Sequence, residues 1–548
     1  MITCGLKLTH DGSVCIVDGD KLISCTEIEK ICDNLRYSPL CLSSHVEQIL
    51  AQEGLSVNDV DTFVIDGWDV DKPPSFYNEG MKAHVNTASY MERYAGEQYL
   101  KAYVGRRLRI GEQERDFVSY MHVVDHVCVA WATSPFARTC ESCHVLLWDG
   151  GVPATLYWID PECGAIEHRG ILLGFLGHVY PIFAQFYMPF LQDVVDVSSL
   201  SIAGKVMAYI ALGQDREEIS SLLERRYNEM VPNQELVTET SRDASLAVRF
   251  ASRLVEDTKR FGFRDADVLS TFHHFIGRKI VQSLRSRRAG ESMKKLCITG
   301  GCGLNIKWNS AVREAAICDE LWVPPFPNDS GSSIGAVCAH RFALGNRELL
   351  SWNVYLGPKI VERGSSVQWR MRGCTIEEVA LLLLEKRAVV ILNGRAEIGP
   401  RALGNRSILA DASDIEMKTR LNRIKNREWY RPVAPICLEH RAREVFDPGT
   451  PDPFMLYDHR VRGRWSKRVP AIVHEDGTAR LQTLNEHQNS VVYGILVAYE
   501  RLSGLPLLCN TSANLSGRGF FPSVSSAIEW GGVDHVWSNA KLWYRDGS

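Results

Sequence analysis

At 548 residues the chain exceeds what one hydrophobic core of about 250–300 residues sustains, so at least two domains are expected. An apolar fraction of 45%, a charged fraction of 23% and a net charge of −4 are those of an ordinary soluble protein and argue against a general nucleic-acid binder, which needs a basic field. No uninterrupted apolar run reaches membrane-spanning length, and Met1-Ile2-Thr3-Cys4-Gly5 lacks the basic and apolar regions of a signal peptide, so the expected setting is the cytoplasm, with no membrane partner and the 16 cysteines reduced.

The chain opens with a hairpin pattern: a strand over 2–8, a turn at Thr9-His10-Asp11-Gly12, a strand over 13–17, a turn at Asp18-Gly19-Asp20 and a strand over 21–26. His10, in the first of these turns, is a candidate general base near neutral pH. His122-Val123-Val124-Asp125-His126 follows in a segment that reads as helix to Ala132. The i,i+4 spacing puts both imidazoles on one face, while the valine after His122 departs from the His-Glu-x-x-His pattern of zinc proteases. Cys140-Glu141-Ser142-Cys143-His144 has haem-attachment spacing, but that chemistry belongs to exported proteins and is set aside. A weaker copy of the opening pattern comes next, with strands over 145–148 and 154–159 around Asp149-Gly150-Gly151 and a turn at Asp160-Pro161. The repetition predicts an internal duplication of the actin-like, sugar-kinase-like type, whose paired Asp-Gly loops face each other across a ligand cleft.

Residues 217–230, 244–261 and 269–285 carry helical periodicity. A strand over 295–299 then runs into Gly300-Gly301-Cys302-Gly303-Leu304-Asn305, whose backbone N–H groups are expected to approach a phosphate. After a strand over 321–323, Asp329 stands between a proline-rich turn and Ser330-Gly331-Ser332-Ser333-Ile334-Gly335. With His122, His126 and Asp149 it makes a donor set suited to Fe²⁺, Mn²⁺ or Zn²⁺; ligand softness does not choose among them. The character changes near residue 360, and the boundary is set between domains 1–362 and 363–548.

In the last domain a strand-like run over 388–392 leads into a small-residue turn carrying Arg395, Arg401 and Arg406. Arginine forks beside a glycine-rich strand end point to a multiply charged anion. Lys418, Arg420, Arg423, Lys425, Arg427 and Arg431 alternate with Trp429 and Tyr430; of these, Lys425 and Arg431 flank an aromatic pair able to stack on a base. Arg480 adds a further fork, and the apolar run 505–508 is expected to end at Cys509-Asn510-Thr511-Ser512, with donors for phosphate or ribose.

These motifs, together with Gly204-Lys205-Val206-Met207, Arg427-Glu428-Trp429-Tyr430-Arg431-Pro432 and His474-Glu475-Asp476 through Arg480, resemble the O-carbamoyltransferase family that includes the tobramycin, cephamycin and Nod-factor enzymes. The resemblance runs over essentially the whole chain. It implies an α/β architecture: a duplicated actin-like domain, similar to the tRNA threonylcarbamoyl-transfer protein, followed by a YrdC/Sua-type α/β domain. It implies Fe(II) at His122, His126, Asp149 and Asp329. It also implies ATP, with Mg²⁺, and carbamoyl phosphate at Arg401, Lys425, Arg431, Arg480, Asn510 and Ser512, with Gly300, Gly301, Gly303 and Asn305 at the nucleotide. By the same analogy, carbamate derived from carbamoyl phosphate attacks the α-phosphate of ATP and expels pyrophosphate, and Lys425 and Arg431 take part in catalysis; His10, from its place in a cleft-facing turn, is expected to accept the proton of an acceptor hydroxyl. The acceptor class is a small, antibiotic-type natural product, its identity unreadable, as is the question of a homodimer. Two alternatives stand beside this reading. One is a tRNA-modifying carbamoyl transferase, weakened by the acidic net charge. The other is an actin-like sugar kinase or ATPase, which would release ADP instead of AMP and pyrophosphate.

Overall fold

The computed structural model describes residues 1–31, 34–91, 99–194, 200–231, 244–288, 293–362 and 368–547. Strands β1 (Ile2–Lys7), β2 (Ser13–Asp18), β3 (Lys21–Glu27) and β4 (Thr62–Asp66) come first. A separate hairpin, β5 (Ser75–Asn78) and β6 (Met81–His84), precedes β7 (Tyr103–Ile110) and β8 (Gln113–Tyr120). They build a six-stranded sheet ordered β3-β2-β1-β4-β8-β7. Strands β9 (Cys143–Leu147), β10 (Pro153–Asp160), β11 (Ala165–Leu176), β12 (Lys295–Thr299) and β13 (Glu320–Trp322) build a five-stranded sheet ordered β11-β10-β9-β12-β13. The first five strands of the larger sheet correspond in order to the five of the smaller, with β7 added at the edge. β1 takes β4 as a parallel neighbour as β9 takes β12, and β4 pairs parallel with β8 as β12 does with β13. The duplication signalled by the two Asp-Gly turns is therefore repeated in topology.

The helices predicted between 217 and 285 are present as Glu217–Met230, Ser245–Arg260 and Asp265–Arg288. In the first of them Ile219, Leu223 and Tyr227 are buried at four-residue spacing, the apolar stripe that docks an amphipathic helix. Helix His122–Ala132 runs beside helix Ser332–Ala343 with backbones almost touching. A Cβ at Gly335 would sit 2.4 Å from the Asp125 carbonyl oxygen, and one at Gly5 would sit 2.1 Å from that of Ser333. The small-residue run after Asp329 is thus a packing requirement as much as a loop signal.

The chain divides into two compact units: Met1–Leu8, Cys15–Leu22 and Cys41–Trp352 form the first, and Thr9–Val14, Ile23–Leu40 and Asn353–Ser548 the second. Two short N-terminal stretches thus pack with residues more than three hundred positions away, which local sequence reading cannot see. The expected boundary at 362/363 abuts residues 363–367, which lie outside the described residues.

In the second unit, β14 (Trp369–Gly373), β15 (Val389–Leu392), β16 (Arg406–Ala410) and β17 (Ala434–Leu438) are followed by a small sheet of β18 (Phe446–Asp447), β19 (His459–Val461) and β20 (Thr478–Ala479). Then come β21 (Gln482–Leu484), β22 (Leu507–Ser512), β23 (His535–Ser538) and β24 (Lys541–Arg545). The main sheet has eight strands in the order β14-β24-β23-β15-β16-β22-β17-β21. Strand β15 is wholly buried, as a central strand covered on both faces must be. Helix Ile376–Leu384 is started by Thr375 and Glu378, which form a reciprocal capping box. One expectation needs correcting: Asn510, Thr511 and Ser512 lie within β22, not beyond its end. Pairing with Leu409, Ile408 and Ser407 of β16 carries the strand through them.

The turn 393–407 also differs from expectation, since two of its three arginines serve the protein. Arg406 donates through Nη1 to the carbonyls of Asn393 (2.8 Å) and Asn405 (2.9 Å), and through Nη2 to those of Gly394 (3.1 Å) and Pro358 (3.2 Å). Arg395 donates to Gly357 O at 2.8 Å. The amides that seemed available to a ligand hold a side chain instead: Glu397 Oε1 accepts from Leu403 N (2.7 Å), Asn405 N (2.8 Å) and Arg406 N (3.3 Å). Charge-assisted bonds to a buried carboxylate are among the stronger ones in proteins. Glu397→Gln puts an amide donor or a weaker acceptor against these N–H groups. It is expected to cost about 3 kcal/mol, read as a lower urea midpoint with an unchanged m-value.

Candidate metal centre and anion site

In the first unit, the helix His122–Ala132 and the ends of β1, β4, β9 and β13 bring six buried polar side chains together. His122 Nε2 and His126 Nε2 are 3.1 Å apart, and Asp329 Oδ1 is 3.5 Å from each. One donor atom from each of His122, His126, Asp149 and Asp329 lies within 4.8 Å of the other three. Ligands bound at about 2.0–2.2 Å around one ion span such distances, so this neutral-imidazole and carboxylate set fits a divalent transition ion.

The surroundings hold these donors in place. Asp66 accepts from His122 Nδ1 at 2.9 Å, which leaves Nε2 as the coordinating nitrogen, the carboxylate–histidine arrangement common around metals. Lys7 Nζ bonds Asp66 Oδ2 at 2.6 Å and Asp329 Oδ2 at 2.9 Å. Tyr90 donates to Asp149 Oδ2 at 2.8 Å, and Gly301 N to Asp149 Oδ1 at 2.6 Å. Burial alone would lower the Lys7 ammonium, but Asp329 and Asp66 outweigh it and push it up to about 12. Burial likewise works against a charged His122, but Asp66 and Asp329 push it up to about 9. Burial would raise the Asp66 carboxyl, yet His122 and Lys7 hold it below the usual range. A cation entering the centre therefore displaces a proton.

The glycine loop belongs to this centre in a way the motif did not announce. Its amides turn inward: Gly300 N bonds Pro327 O (2.8 Å), Gly301 N bonds Asp149, Cys302 N bonds Trp148 O (3.1 Å) and Gly303 N bonds Gly300 O (2.8 Å). Asn305 caps the helix Ile306–Glu314, its side chain accepting from Lys307 N and Trp308 N. These N–H groups were expected at a phosphate; in the structure they shape the loop and aim Asp149. Asp66, Lys7 and Tyr90 were missed. Asp66 closes β4 as Asp149 follows β9, and a second acid at a corresponding strand end was the available signal.

In the second unit Arg401, Arg427, Arg431 and Arg480 gather with Arg36 of the Ile23–Leu40 stretch. Burial and then Arg36 push Arg401 down to about 10. Burial, Arg431 and Arg36 push Arg427 down to about 10. Burial lowers Arg480 strongly, with Arg401, Arg427 and Arg431 adding to it. Burial lowers Arg431 as well. Arg480 Nε is buried with no hydrogen-bond partner. Like charges clustered at half-buried positions suit a counter-anion with several oxygens. Asn510 fits the same site: its Nδ2 bonds Ala402 O (3.1 Å) and Gln482 Oε1 (2.8 Å), while its buried Oδ1 has no partner.

Other expected members stand differently. The Lys425 ammonium, expected at phosphate, gives its donors to Ser512 O (2.8 Å), Asn514 O (2.5 Å) and Asn514 Oδ1 (2.6 Å). It fastens the turn after β22, because three protein acceptors already satisfy it. Ser512 Oγ bonds Asn514 Oδ1 at 2.6 Å in the same turn. Trp429 is 66% exposed while Tyr430 is buried, and their rings meet edge-on at 85°, so they form no double platform for a base. Lys418 pairs with Glu475 at 2.8 Å. His10 sits in the Thr9–Val14 stretch, its Nδ1 2.9 Å from Asp11 Oδ2. Arg36 and Arg427 are the functional candidates that sequence reading passed over: Arg427 was named only among the basic run, and Arg36 carries no local motif.

Comparison with known proteins follows this division of the chain. A family model described as carbamoyltransferase N-terminus matches residues 2–338, and one described as carbamoyltransferase C-terminus matches residues 380–536. Nodulation protein U of Bradyrhizobium diazoefficiens is 41% identical over 565 residues, covering 99% of this chain and 97% of that protein. The 3'-hydroxymethylcephem-O-carbamoyltransferase of Streptomyces clavuligerus is 30% identical over 567 residues, covering 100% of this chain and 99% of its own length. Among solved structures, full-length HypF in its phosphate- and nucleotide-bound form aligns with 63% of this chain and 56% of its own at 12% identity, with a TM-score of 0.34; the weight rests on the sequence relatives. The chain belongs to the carbamoyltransferase family.

Proposed function

We propose that this carbamoyltransferase is ATP-dependent and works in two half-reactions, adenylate formation and carbamoyl transfer. The observation that carries the proposal is the half-buried cluster of Arg401, Arg427, Arg431 and Arg480 in one unit, together with a buried His–Asp donor set in the other. In this proposal the second unit is a YrdC/Sua-type domain that takes carbamoyl phosphate and Mg²⁺–ATP. Water cleaves carbamoyl phosphate to carbamate and inorganic phosphate, with release of a proton. A carbamate oxygen then attacks the α-phosphorus of ATP, and the bond to the β-phosphate oxygen breaks, releasing pyrophosphate. The arginines bind the triphosphate and offset the charge that builds on the phosphoryl oxygens as that bond breaks. Asn510 orients a donor through its unpartnered Oδ1.

The carbamoyl adenylate is consumed by the hydroxyl of a small natural product. The hydroxyl oxygen bonds the carbamoyl carbon, AMP leaves, and the hydroxyl proton passes to His10. Asp11 accepts from His10 Nδ1, so Nε2 is the basic nitrogen. The first unit is an actin-like duplication whose His122, His126, Asp149 and Asp329 hold a divalent ion, Fe(II) in this proposal, which when bound supplies Lewis acidity to the carbonyl or acceptor oxygen. The name of the cephem relative supports a hydroxymethyl group as the acceptor class.

Three outcomes are expected. The purified chain releases pyrophosphate and AMP from ATP only when carbamoyl phosphate is present; ADP release, or indifference to carbamoyl phosphate, would leave a kinase or ATPase. Asp66→Asn removes the bond that orients His122 and lowers divalent-metal affinity about 10–100-fold in chelator competition; unchanged affinity would show that these donors do not hold the ion. His10→Ala keeps pyrophosphate release but lowers carbamoyl transfer to acceptor about 10²-fold; equal loss of both activities would remove His10 from the role of base.

A further inference from the structure

Residues of the N-terminal stretch Ile23–Leu40 fold into the second unit, and their attachment is unusually specific. The buried Lys30 ammonium bonds the Glu27 carboxylate and the carbonyls of Glu397 and Gly399, both at 2.7 Å. Gly399 N returns a bond to Glu27 Oε2 at 3.2 Å. These bonds tie the stretch to the turn that carries Arg401. On the other side, Leu35 bridges to Arg518, Arg36 N bonds Gly517 O at 2.9 Å and Gly519 N bonds Asn34 O at 3.1 Å. A Cβ at Gly519 would lie 1.8 Å from Glu29 O, so only glycine admits this approach. The stretch is thereby strung between the Arg401 turn and the turn after β22.

Near its end stands Tyr37 in the left-handed region, φ 64°, a conformation strained for a non-glycine residue. Its N–H is held by Glu29 Oε2 at 2.9 Å, and the Arg36 guanidinium lies 5.1 Å from its ring centroid. Backbone strain held by bonds on both sides, with an arginine resting on an aromatic platform, is the construction of a preorganised ligand contact rather than of a linker. The charges agree with the geometry. Arg36 is among the causes that lower Arg401, Lys425, Arg427 and Arg431. It is itself raised despite burial, because Tyr37, Glu29, Asp11 and Glu27 stand close to it.

We propose that Arg36, braced by Tyr37, is a direct phosphate ligand of the second unit's anion site, so that the first forty residues complete a site otherwise built from residues beyond 400. This rests on the arginine cluster being an anion site but not on the adenylate chemistry. The phosphate is that of carbamoyl phosphate or of ATP; kinetics separate the two.

The full-length chain is titrated calorimetrically with inorganic pyrophosphate, alongside Arg36→Ala and Arg36→Lys. The expected result is binding weakened about tenfold or more in Arg36→Ala and partly restored in Arg36→Lys, which keeps the charge but loses the fork. Melting temperatures without ligand should stay close to wild type. Millimolar guanidinium should restore binding to Arg36→Ala, a rescue that a purely structural role would not show. In turnover, a raised KM for carbamoyl phosphate alone assigns Arg36 to that substrate, and a raised KM for ATP alone assigns it to the nucleotide. Wild-type pyrophosphate affinity in Arg36→Ala would overturn the proposal. Should that variant fail to fold, wild-type affinity in Arg36→Lys would do so. Because the titration needs no turnover, a chain that binds pyrophosphate through Arg36 yet releases none from ATP would sink the adenylate reading and leave this one standing.

Discussion

The Glu397 carboxylate accepts three backbone N–H groups inside the turn between β15 and β16, and the geometry of the second unit's site depends on that arrangement. A buried carboxylate without donors would be expelled or protonated; with three amides pointing at it, it anchors the turn. Arg406 satisfies four carbonyls in the same region. Carbonyls and amides of an irregular loop are thus paired from within, and a loop that would otherwise need water is rigid enough to present Arg401. Arg401, Arg427, Arg431 and Arg480 stand close enough together to lower one another's affinity for a proton.

The first unit solves the opposite problem. Its centre collects Asp66, Asp149 and Asp329 at buried positions, where repulsion would push carboxyls toward the neutral form. Lys7 and the two imidazoles answer this charge, and a metal ion would answer it better. The second unit accumulates positive charge with too few acids, while the first accumulates donors for a cation. In the proposed function one would accept an anion and the other a cation, as suits activation by a nucleotide followed by transfer at a Lewis-acidic site.

Much of the strand layout was legible because turn residues state their conformational needs locally: the Asp-Gly turns predicted the doubled strand order, which rests on β-pairings that repeat. Helix-period spacing put His122 and His126 on one face, and Asp149 and Asp329 joined them as acids beside small residues at strand ends and through the family resemblance; the four donors do lie together. The arginine-rich turn misled in detail. Arg395, Arg401 and Arg406 are the same residue type in one loop, and nothing local says which partners each will meet. The partners of Lys425 were equally hidden, because its three acceptors lie almost ninety residues further along.

Composition, turn chemistry and periodicity depend on neighbours within a few residues, and they were enough to indicate an α/β chain of more than one domain with a His–Asp donor set and an arginine-rich strand end. Partner choice is a matter of distance in space. Whether an amide faces a ligand or Glu397, whether a lysine meets phosphate or a carbonyl, and whether Arg36 belongs with Arg401, more than three hundred and sixty positions away, were decided only when packing brought those segments together and burial required every charge to be answered.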